Sequence, residues 1–477
     1  MVLKVYNTKS RTLEEFKPLR ANRVRMFVCG PTVYDESHIG HARTYLAYDI
    51  IARYLRAKGF NVFYLMNITD IDDKIINRAN ASGENALLLA ESFTKEFLQD
   101  MESLRITSVN LYAKASDHIP EIIDQVKVLI EKGYAYVVDG DVFFEVSRFP
   151  NYGELSGQDI EQLVMHRIDP DPRKRSVVDF ALWKSQKPNE PAWGSPWGKG
   201  RPGWHIEDTA ITTNYFGPQY DLHGGGLDLI FPHHEAEIAQ AEAATGVKPL
   251  VRYWIHGGLL TVKGARMGKS MGNFITIKET LQKHDPEVLR LYYAMSHYRS
   301  ALEFDESNVA QAEQVLNKLR SVYFQFKRML KTSEKDNDRA IDARVQKLTA
   351  DARAAFIEAM DDDFNTPRAL AAMIAFAREA EAYGSKQIEK SSTELILQTF
   401  DYFGGVFGIL QSAGAQHGTM VDELVDVVLE FREEARKKGD WAAADRIRTR
   451  LVRLGITIED TAGGTRWYAS SIRDESP

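Results

Sequence analysis

The hydrophobic and polar positions near the start of the chain alternate between strand and helix patterns. A short apolar run at 26–28 ends in Cys29-Gly-Pro31, and apolar residues then recur at helical spacing over 44–58. Gly59 ends this helical stripe, and the continuous apolar run at 62–66 predicts a second, buried strand. Strand, helix, strand and helix in this order predict a doubly wound parallel sheet.

The pattern changes twice along the rest of the chain. Residues 85–135 are predicted to be helical, whereas 135–200 combines two short β-prone runs with a loop rich in proline, tryptophan and glycine. From about 305 to 407 the pattern is almost continuously helical with a break at 361–367, which predicts a helical bundle. A linker is predicted at 411–418, and two basic helices and β-prone residues around a Gly-Gly turn follow it.

These elements predict an α/β protein. Its first part is a Rossmann-type doubly wound parallel domain with an inserted domain, and a helical bundle and a small C-terminal α/β domain follow. The predicted boundaries are 1–134 and 201–257 for the two Rossmann halves, 135–200 for the insertion, 258–304 for a region with a glycine-rich loop, 305–410 for the bundle and 420–470 for the last domain.

Composition narrows the function classes. A chain of 477 residues is too long for one hydrophobic core, and its net charge of −7 argues against a surface that is basic all over. A single cysteine excludes an intramolecular disulfide framework and fits a reducing compartment. Neither a signal-peptide pattern nor 18 uninterrupted apolar residues occur, so we expect a cytoplasmic protein that does not cross a membrane.

Two separated motifs predict a nucleotide site. His38-Ile-Gly-His41 follows the first strand and opens a helix, so it offers two neutral donors where a parallel sheet binds phosphate. The alternative for this motif alone is a polar helix cap. Far downstream, Lys269 lies between Gly268 and Gly272 on a loop that can swing over the pyrophosphate of ATP. The alternative is an ordinary surface loop, but the pair in this order is more specific.

A third group of residues predicts a metal site. His233 and Glu237 are four residues apart on one helix face, and Cys29 ends the first strand. Thiolate, imidazole and carboxylate all suit Zn²⁺. The alternatives are an exposed salt-bridge face for the helix and an inert core cysteine.

Three further segments carry candidate chemistry. Gly203–Asp208 combines tryptophan, histidine and two carboxylates at a helix start, which would not pack as core without a polar partner. In His223–Asp228, glycines permit close backbone approach and Asp228 suits a ribose hydroxyl; the alternative is a tight turn. The C-terminal helices are basic and precede Trp467, as binding of unpaired RNA requires, although a solvated helix face is the alternative.

In these motifs and along nearly the whole chain, the sequence closely resembles the cysteinyl-tRNA synthetases, a family of class I aminoacyl-tRNA synthetases. The segments that carry the resemblance are Cys29-Gly-Pro-Thr-Val-Tyr34, His38-Ile-Gly-His41, Asn67-Ile-Thr-Asp70, Gly200-Arg-Pro-Gly-Trp-His-Ile-Glu207, His223-Gly-Gly-Gly226, Phe231-Pro-His-His-Glu235, Arg266-Met-Gly-Lys-Ser270, His297-Tyr-Arg-Ser300, Trp441-Ala-Ala-Ala-Asp-Arg-Ile-Arg448, Ile458-Glu-Asp-Thr461 and Thr465-Arg-Trp467.

The resemblance implies a ligase that activates L-cysteine with Mg-ATP to cysteinyl-adenylate and transfers it to the 3′ end of tRNA(Cys). It implies one Zn²⁺ per chain that recognises cysteine through its thiolate, which serine lacks. It also implies a monomer in which Rossmann catalytic halves precede a stem-contact region (258–304), a helical bundle and an anticodon-binding domain.

The resemblance also implies residue roles. The catalytic residues would be His38, His41 and Lys269, with Gly224, Gly225 and Asp228 joining them in ATP binding. The cysteine pocket would be lined by Thr69, Trp204 and His205, and the metal would be held by Cys29, Asp208, His233 and Glu237. The anticodon would be contacted by Arg436, Asp445, Asp460 and Trp467.

The sequence departs from the family pattern at two places. Position 208 is usually a second cysteine, and Asp208 either gives a more Lewis-acidic and less metal-selective site or does not bind the metal. The signature loop usually reads Lys-Met-Ser-Lys-Ser, and here Arg266 and Gly268 replace two of its residues while Lys269 is kept. We expect Gly268 to make this loop more mobile without inactivating it.

Two other functions fit part of the sequence. A related cysteine-to-aminosugar ligase would share the adenylation site, but such a chain would lack the C-terminal domain at 421–470. A synthetase-like tRNA-binding protein without activity would not need Cys29, His38, His41 and Lys269. Both readings are therefore weaker than a cysteine-activating ligase.

Overall fold

A computed structural model describes residues 2–158, 171–268, 271–332, 339–384, 388–410, 419–453, 456–461 and 464–469. Its central element is a five-stranded sheet in which all strands are parallel. The strands, from one edge to the other, are Val251–Gly257, Tyr220–Gly226, Arg23–Val28, Asn61–Ile68 and Leu111–Lys114. In chain order this is 5-4-1-2-3, which confirms the predicted doubly wound parallel sheet.

The order of the strands reverses between Arg23–Val28 and Tyr220–Gly226. Connections leave these two neighbouring strands toward opposite edges of the sheet, so a crevice opens beyond their carboxyl ends. Four helices follow strands of this sheet and cover it, because continuous apolar runs in the strands need burial on both faces. They are Ile39–Ala57, Asp73–Ser82, Ala86–Ser103 and Glu235–Thr245.

The prediction that 85–135 is entirely helical is wrong at one place. Helices Ala86–Ser103 and Ile119–Glu131 are present, but Leu111–Lys114 between them is the edge strand of the parallel sheet. Four residues carry too little periodicity to distinguish a strand from a helix. Their backbone groups pair with Leu65–Ile68, so the neighbouring strand decides the conformation.

The inserted region is more ordered than its composition suggests. The predicted β-prone runs form Ala135–Val138 and Asp141–Phe144, but the predicted loop also contains Phe180–Ser185, Trp193–Ser195 and Gly198–Pro202. All five strands form one antiparallel sheet. Glycine is needed in its last strand because a Cβ at Gly200 would lie 2.4 Å from the indole nitrogen of Trp183. That glycine therefore marks close packing within a strand, whereas the sequence predicted a loop at this place.

Short elements precede and follow the parallel sheet along the chain. A hairpin of Lys4–Asn7 and Thr12–Glu15 precedes the parallel sheet. After it, Leu260–Val262, Ala265–Arg266 and Leu302–Phe304 form a three-stranded sheet, with helices Ile277–Lys283 and Pro286–Ala294 between its strands. Helix Ile206–Phe216 follows the insertion in the chain and precedes Tyr220–Gly226, the fourth strand of the parallel sheet in chain order.

The predicted helical bundle is confirmed. Its helices are Glu306–Thr332, Arg339–Asp361, Thr366–Glu381 and Lys390–Phe407, and phenylalanines pack at their centre. The predicted linker at 411–418 lies outside the described residues. Beyond it come helices Thr419–Lys437 and Trp441–Arg453 and an antiparallel hairpin of Ile456–Thr461 and Gly464–Ala469, as predicted. The domain boundaries given above stay predictions.

Among the described helices, none combines the length and the apolar character needed to cross a membrane.

Candidate functional site

Cys29 lies at the point where the strand order reverses. Its backbone N–H donates to the Gly224 carbonyl at 3.1 Å, which joins the carboxyl ends of the two central strands. Gly30 follows, and a Cβ there would lie 1.7 Å from the Asn67 carbonyl oxygen. The Gly30 N–H donates to Asn67 Oδ1 at 2.6 Å. Three neighbouring strand ends are therefore held together around the cysteine.

The four residues predicted to bind metal converge beside this point. Cys29 Sγ lies 3.3 Å from Asp208 Oδ2, and His233 Nε2 lies 3.0 Å from the same oxygen. His233 Nε2 is also 3.2 Å from Glu237 Oε1. All four residues are buried, and one donor atom from each lies within 4.8 Å of the others. His233 lies two residues before helix Glu235–Thr245, in a short helical segment that runs directly into it, so the spacing of four still directs both side chains to one point.

The electrostatics of these residues fit a bound cation. Burial raises the pKa of the Cys29 thiol well above its usual value, and Asp208 and Glu237 raise it further. Burial and Asp208 likewise raise the pKa of Glu237, whose buried Oε2 has no hydrogen-bond partner in the described structure. No lysine or arginine among the described residues forms an ion pair with these acids. A divalent cation would compensate their charge, and the sulfur, nitrogen and oxygen donors suit Zn²⁺.

Two further histidines, for which the sequence predicted no role, face the same thiol. His223 Nε2 and His234 Nε2 lie 3.4 and 3.1 Å from Cys29 Sγ. Their Nδ1 atoms are engaged by the Tyr220 hydroxyl at 2.6 Å and by His256 Nε2 at 2.8 Å. With Cys29 and Glu237 they form a second, overlapping set of four donors. The sequence offers one signal for them, the clustering of histidines, because five of the twelve histidines of the chain lie from position 205 to position 256.

The predicted cysteine pocket adjoins the metal-binding residues. The Trp204 indole stacks on the His233 ring with centroids 4.4 Å apart, and His205 Nδ1 lies 2.8 Å from His233 Nδ1. On the opposite side, Asn67 Nδ2 donates to Asp208 Oδ1 at 2.5 Å and reaches Thr69 Oγ1 at 3.4 Å. The structure thus brings all three predicted pocket residues to one place.

His38 and His41 form the predicted helix start and also its cap. His38 Nδ1 accepts from the Gly40 and His41 N–H groups at 3.1 and 3.3 Å, and His41 Nδ1 accepts from the His38 N–H at 3.3 Å. Because each Nδ1 accepts, the neutral ring carries its proton on Nε2 and donates from there. Burial lowers the pKa of His38 to about 4 and that of His41 well below its usual value. Both rings are therefore neutral donors at physiological pH.

The glycines that end strand Tyr220–Gly226 are packed closely against other side chains of the protein. A Cβ at Gly224 would lie 2.4 Å from the Tyr48 ring, and one at Gly225 would lie 2.8 Å from His234. The Tyr48 hydroxyl accepts from the Gly225 N–H at 2.7 Å. These contacts explain the glycines without a nucleotide, so their role in ATP binding stays a prediction.

The signature loop lies next to the residues that follow this strand. Arg266 Nη2 is 3.8 Å from Asp228 Oδ2, and both side chains are about half exposed. Asn273 accepts from the Gly268 N–H at 2.9 Å and donates to the Arg266 carbonyl at 3.1 Å, which closes the loop at its base. Lys269, the predicted catalytic lysine, lies outside the described residues.

The four predicted anticodon residues differ in their contacts and in their exposure. Arg436 Nη1 lies 2.9 Å from Asp460 Oδ1, so these two come together. Asp460 also accepts both Nη groups of Arg432 at 2.8 and 2.7 Å, and this contact lowers the pKa of Asp460. Trp467 packs against the small apolar core of the C-terminal unit, and Asp445 is exposed. Asp460 and Trp467 therefore stabilise this unit, whatever else they contact.

Three family models match the chain. They are described as "tRNA synthetases class I (C) catalytic domain" over residues 15–314, "DALR domain" over 355–411 and "Cysteinyl-tRNA ligase anticodon binding domain" over 420–467. Similar curated proteins include the cysteine–tRNA ligase of Heliobacterium modesticaldum, with 47% identity over 98% of this chain and 99% of that protein. That of Thermococcus onnurineus is 45% identical over 99% of this chain and 100% of its own length.

Solved structures share the fold at low sequence identity. Methionyl-tRNA synthetase of Mycobacterium tuberculosis in complex with methionyl-adenylate superposes with a TM-score of 0.60 at 18% identity, over 81% of this chain and 89% of that one. A putative arginyl-tRNA synthetase from Campylobacter jejuni gives a TM-score of 0.56 at 13% identity, over 81% and 93%. These likenesses confirm the class of fold.

Proposed function

Because the chain belongs to the cysteine–tRNA ligase family of class I aminoacyl-tRNA synthetases, we propose that it joins L-cysteine to tRNA(Cys) at the expense of ATP. In the first step the cysteine carboxylate attacks the α-phosphorus of Mg-ATP, and pyrophosphate leaves. In the second step a terminal ribose hydroxyl of the tRNA attacks the carbonyl carbon, and AMP leaves. We further propose that this ligase is a monomer.

The observation that carries the proposal is the buried set of Cys29, Asp208, His233 and Glu237 at the crevice of the sheet. When bound there, Zn²⁺ supplies a Lewis acid that favours a thiolate over an alcohol and so separates cysteine from serine. His233 is oriented for this role because its Nδ1 contacts His205 and its ring stacks on Trp204.

The chain's own groups promote adenylate formation. The Nε2–H groups of His38 and His41 stand at a helix N-terminus, where they and the helix dipole favour the charge that develops on the phosphate. Their stacked rings, 3.8 Å apart, are already ordered by capping the helix, so little reorganisation is needed. We assign Lys269 to the leaving pyrophosphate, and Asp228 with Gly224 and Gly225 to the nucleoside, as the sequence resemblance implies.

The remaining regions complete the assignment. We assign 258–304 to the tRNA stem and 420–470 to the anticodon, with Arg436, Asp445, Asp460 and Trp467 as contact residues. The match to an anticodon-binding model over 420–467 argues against the aminosugar ligase, which would not need that domain.

The test is cysteine-dependent ATP–pyrophosphate exchange followed by charging of tRNA(Cys). We expect exchange with cysteine and none with serine, and charging only when tRNA is added. Exchange without charging would support the aminosugar ligase, and the absence of exchange would refute both enzymes. Elemental analysis of the same preparation should find about one zinc per chain.

A further inference from the structure

Glu207 is a buried carboxylate next to the metal-binding residues that the proposed function leaves unused. It precedes Asp208 in the first turn of helix Ile206–Phe216 and is 1% exposed. Its Oε1 accepts the hydroxyl proton of Thr69. Among the described residues, no lysine or arginine pairs with it.

Thr69 is held rigidly from both sides. Its N–H donates to the Pro31 carbonyl and its carbonyl accepts from the Val33 N–H, each at 3.1 Å. A hydroxyl has one proton and two lone pairs. Since the proton is donated to Glu207, the oxygen of Thr69 can only accept from other groups. Asn67 Nδ2, at 3.4 Å, engages one lone pair at most, which leaves another for a ligand.

The distance between Thr69 and the metal-binding residues suits one small molecule. Asn67 Nδ2 reaches both Asp208 Oδ1 and Thr69 Oγ1, so these oxygens lie on the two sides of a single amide group. In L-cysteine two carbons separate the sulfur from the nitrogen. A cysteine whose thiolate lies at the metal can therefore present its α-ammonium to Thr69.

We propose that Glu207 is a positioning residue for the α-ammonium of the substrate, acting through Thr69. By taking the Thr69 proton it commits the Thr69 oxygen to accept from the ammonium. The inference rests on the proposed function, because it requires the thiol to be held at Cys29, Asp208, His233 and Glu237. The site then reads two ends of the substrate, the thiol by the metal and the amine by the Glu207–Thr69 pair.

Measuring the binding of three thiols distinguishes recognition of the substrate thiol from recognition of its amine. L-cysteine has both the amine and the carboxylate, cysteamine has only the amine, and 3-mercaptopropionate has only the carboxylate. Each is titrated into the full-length protein loaded with Co²⁺, whose thiolate charge-transfer absorption reports binding without turnover. In Glu207→Gln the amide can donate to Thr69 and turn the hydroxyl proton toward the ligand.

We expect Glu207→Gln to weaken L-cysteine and cysteamine by about tenfold to a hundredfold, as for loss of a charged hydrogen bond. The affinity for 3-mercaptopropionate should change less than about twofold. In exchange assays KM for cysteine should rise while KM for ATP stays constant. The matched control is Glu235→Gln, another buried glutamate, which accepts from the Ser156 N–H at 2.9 Å and should leave all three affinities unchanged.

A second pair of variants covers poor folding of Glu207→Gln. Thr69→Val should show the same amine-specific loss, and Thr69→Ser, which keeps the hydroxyl, should restore binding. Equal weakening of all three thiols in Glu207→Gln and in Thr69→Val would overturn the inference, because it would indicate a general structural effect. If no thiol perturbs the cobalt spectrum of the unaltered protein, the proposed metal-dependent recognition fails instead.

Discussion

Asp208→Asn is the change that best separates a metal ligand from a structural acid. Asparagine has the shape of aspartate, and its Oδ1 keeps the hydrogen bond from Asn67 that is 2.5 Å long in this structure. The charge is lost, and with it a cause that raises the pKa of Cys29 and of Glu237. Without metal we therefore expect the variant to be at least as stable as the unaltered protein.

With zinc the same substitution should be harmful. It removes one of three anionic ligands, because Asp208 Oδ2, which faces Cys29 and His233, is replaced by an amide NH2 group that does not bind Zn²⁺. Even partners outside the ligand shell contribute tenfold to a hundredfold in metal affinity, so we expect a loss of about a hundredfold. That corresponds to about 2.7 kcal/mol of zinc-dependent stabilisation.

Competition with a chelator measures the zinc affinity, and thermal unfolding with and without zinc measures the stabilisation. The matched control is Asp221→Asn, another buried aspartate, which accepts from the Leu19 and Arg25 N–H groups at 2.5 and 2.8 Å. It should unfold at lower temperature in both conditions and bind zinc normally. Unchanged zinc and cysteine affinities in Asp208→Asn would refute its role as a ligand.

Three other changes test separate parts of the structure. His38→Asn keeps a side chain that caps helices well, so we expect an unchanged unfolding temperature. Loss of the Nε2–H donor should slow ATP–pyrophosphate exchange about a hundredfold to a thousandfold. Normal exchange would show that His38 only caps the helix. Gly224→Ala should destabilise the protein by about 1–3 kcal/mol in thermal unfolding, because its Cβ would meet the Tyr48 ring at 2.4 Å. The control is Gly194→Ala, whose Cβ would meet no atom within 4 Å. Equal effects of the two substitutions would contradict the packing argument. Burial lowers the pKa of several histidines, that of His38 to about 4, so the unfolded chain takes up protons below about pH 6.5 that the folded chain does not. Five acids whose pKa is raised by burial act in the opposite direction, namely Asp70, Asp100, Glu207, Glu235 and Glu237. We expect the more numerous histidines to outweigh them, so the stability of the metal-free protein should fall as the pH drops from 6.5 toward 4. An unfolding temperature that stays constant or rises over this range would exclude the effect. The other histidines are His41, His205, His223, His234, His256 and His297.

Local sequence patterns were enough for features that depend on neighbouring residues. The apolar run at 62–66 predicted strand Asn61–Ile68, and the helical pattern from about 305 to 407 predicted the helical bundle. The spacing of His233 and Glu237 predicted that both would reach one ion, because side chains four residues apart share a helix face. Motif resemblance added the order of the sites along the chain.

Patterns failed where the neighbours are distant in sequence. Leu111–Lys114 is a strand because the edge of the sheet offers it partners, and Phe180–Ser185 is one because the insertion folds onto itself. His223 and His234 carry no local sign that their Nε2 atoms face Cys29. The hydroxyl of Thr69 likewise meets Glu207 across 138 residues.

The sequence by itself determined which residue types could do this chemistry and which elements carry them. It could not determine that Cys29 and Asp208, 179 residues apart, would lie 3.3 Å from each other. That contact depends on the order of the strands and on the packing of helix Ile206–Phe216 beside them. Backbone hydrogen bonds and helical periodicity are local and can be read in a short window, whereas the meeting of side chains from separate segments is decided by tertiary packing alone.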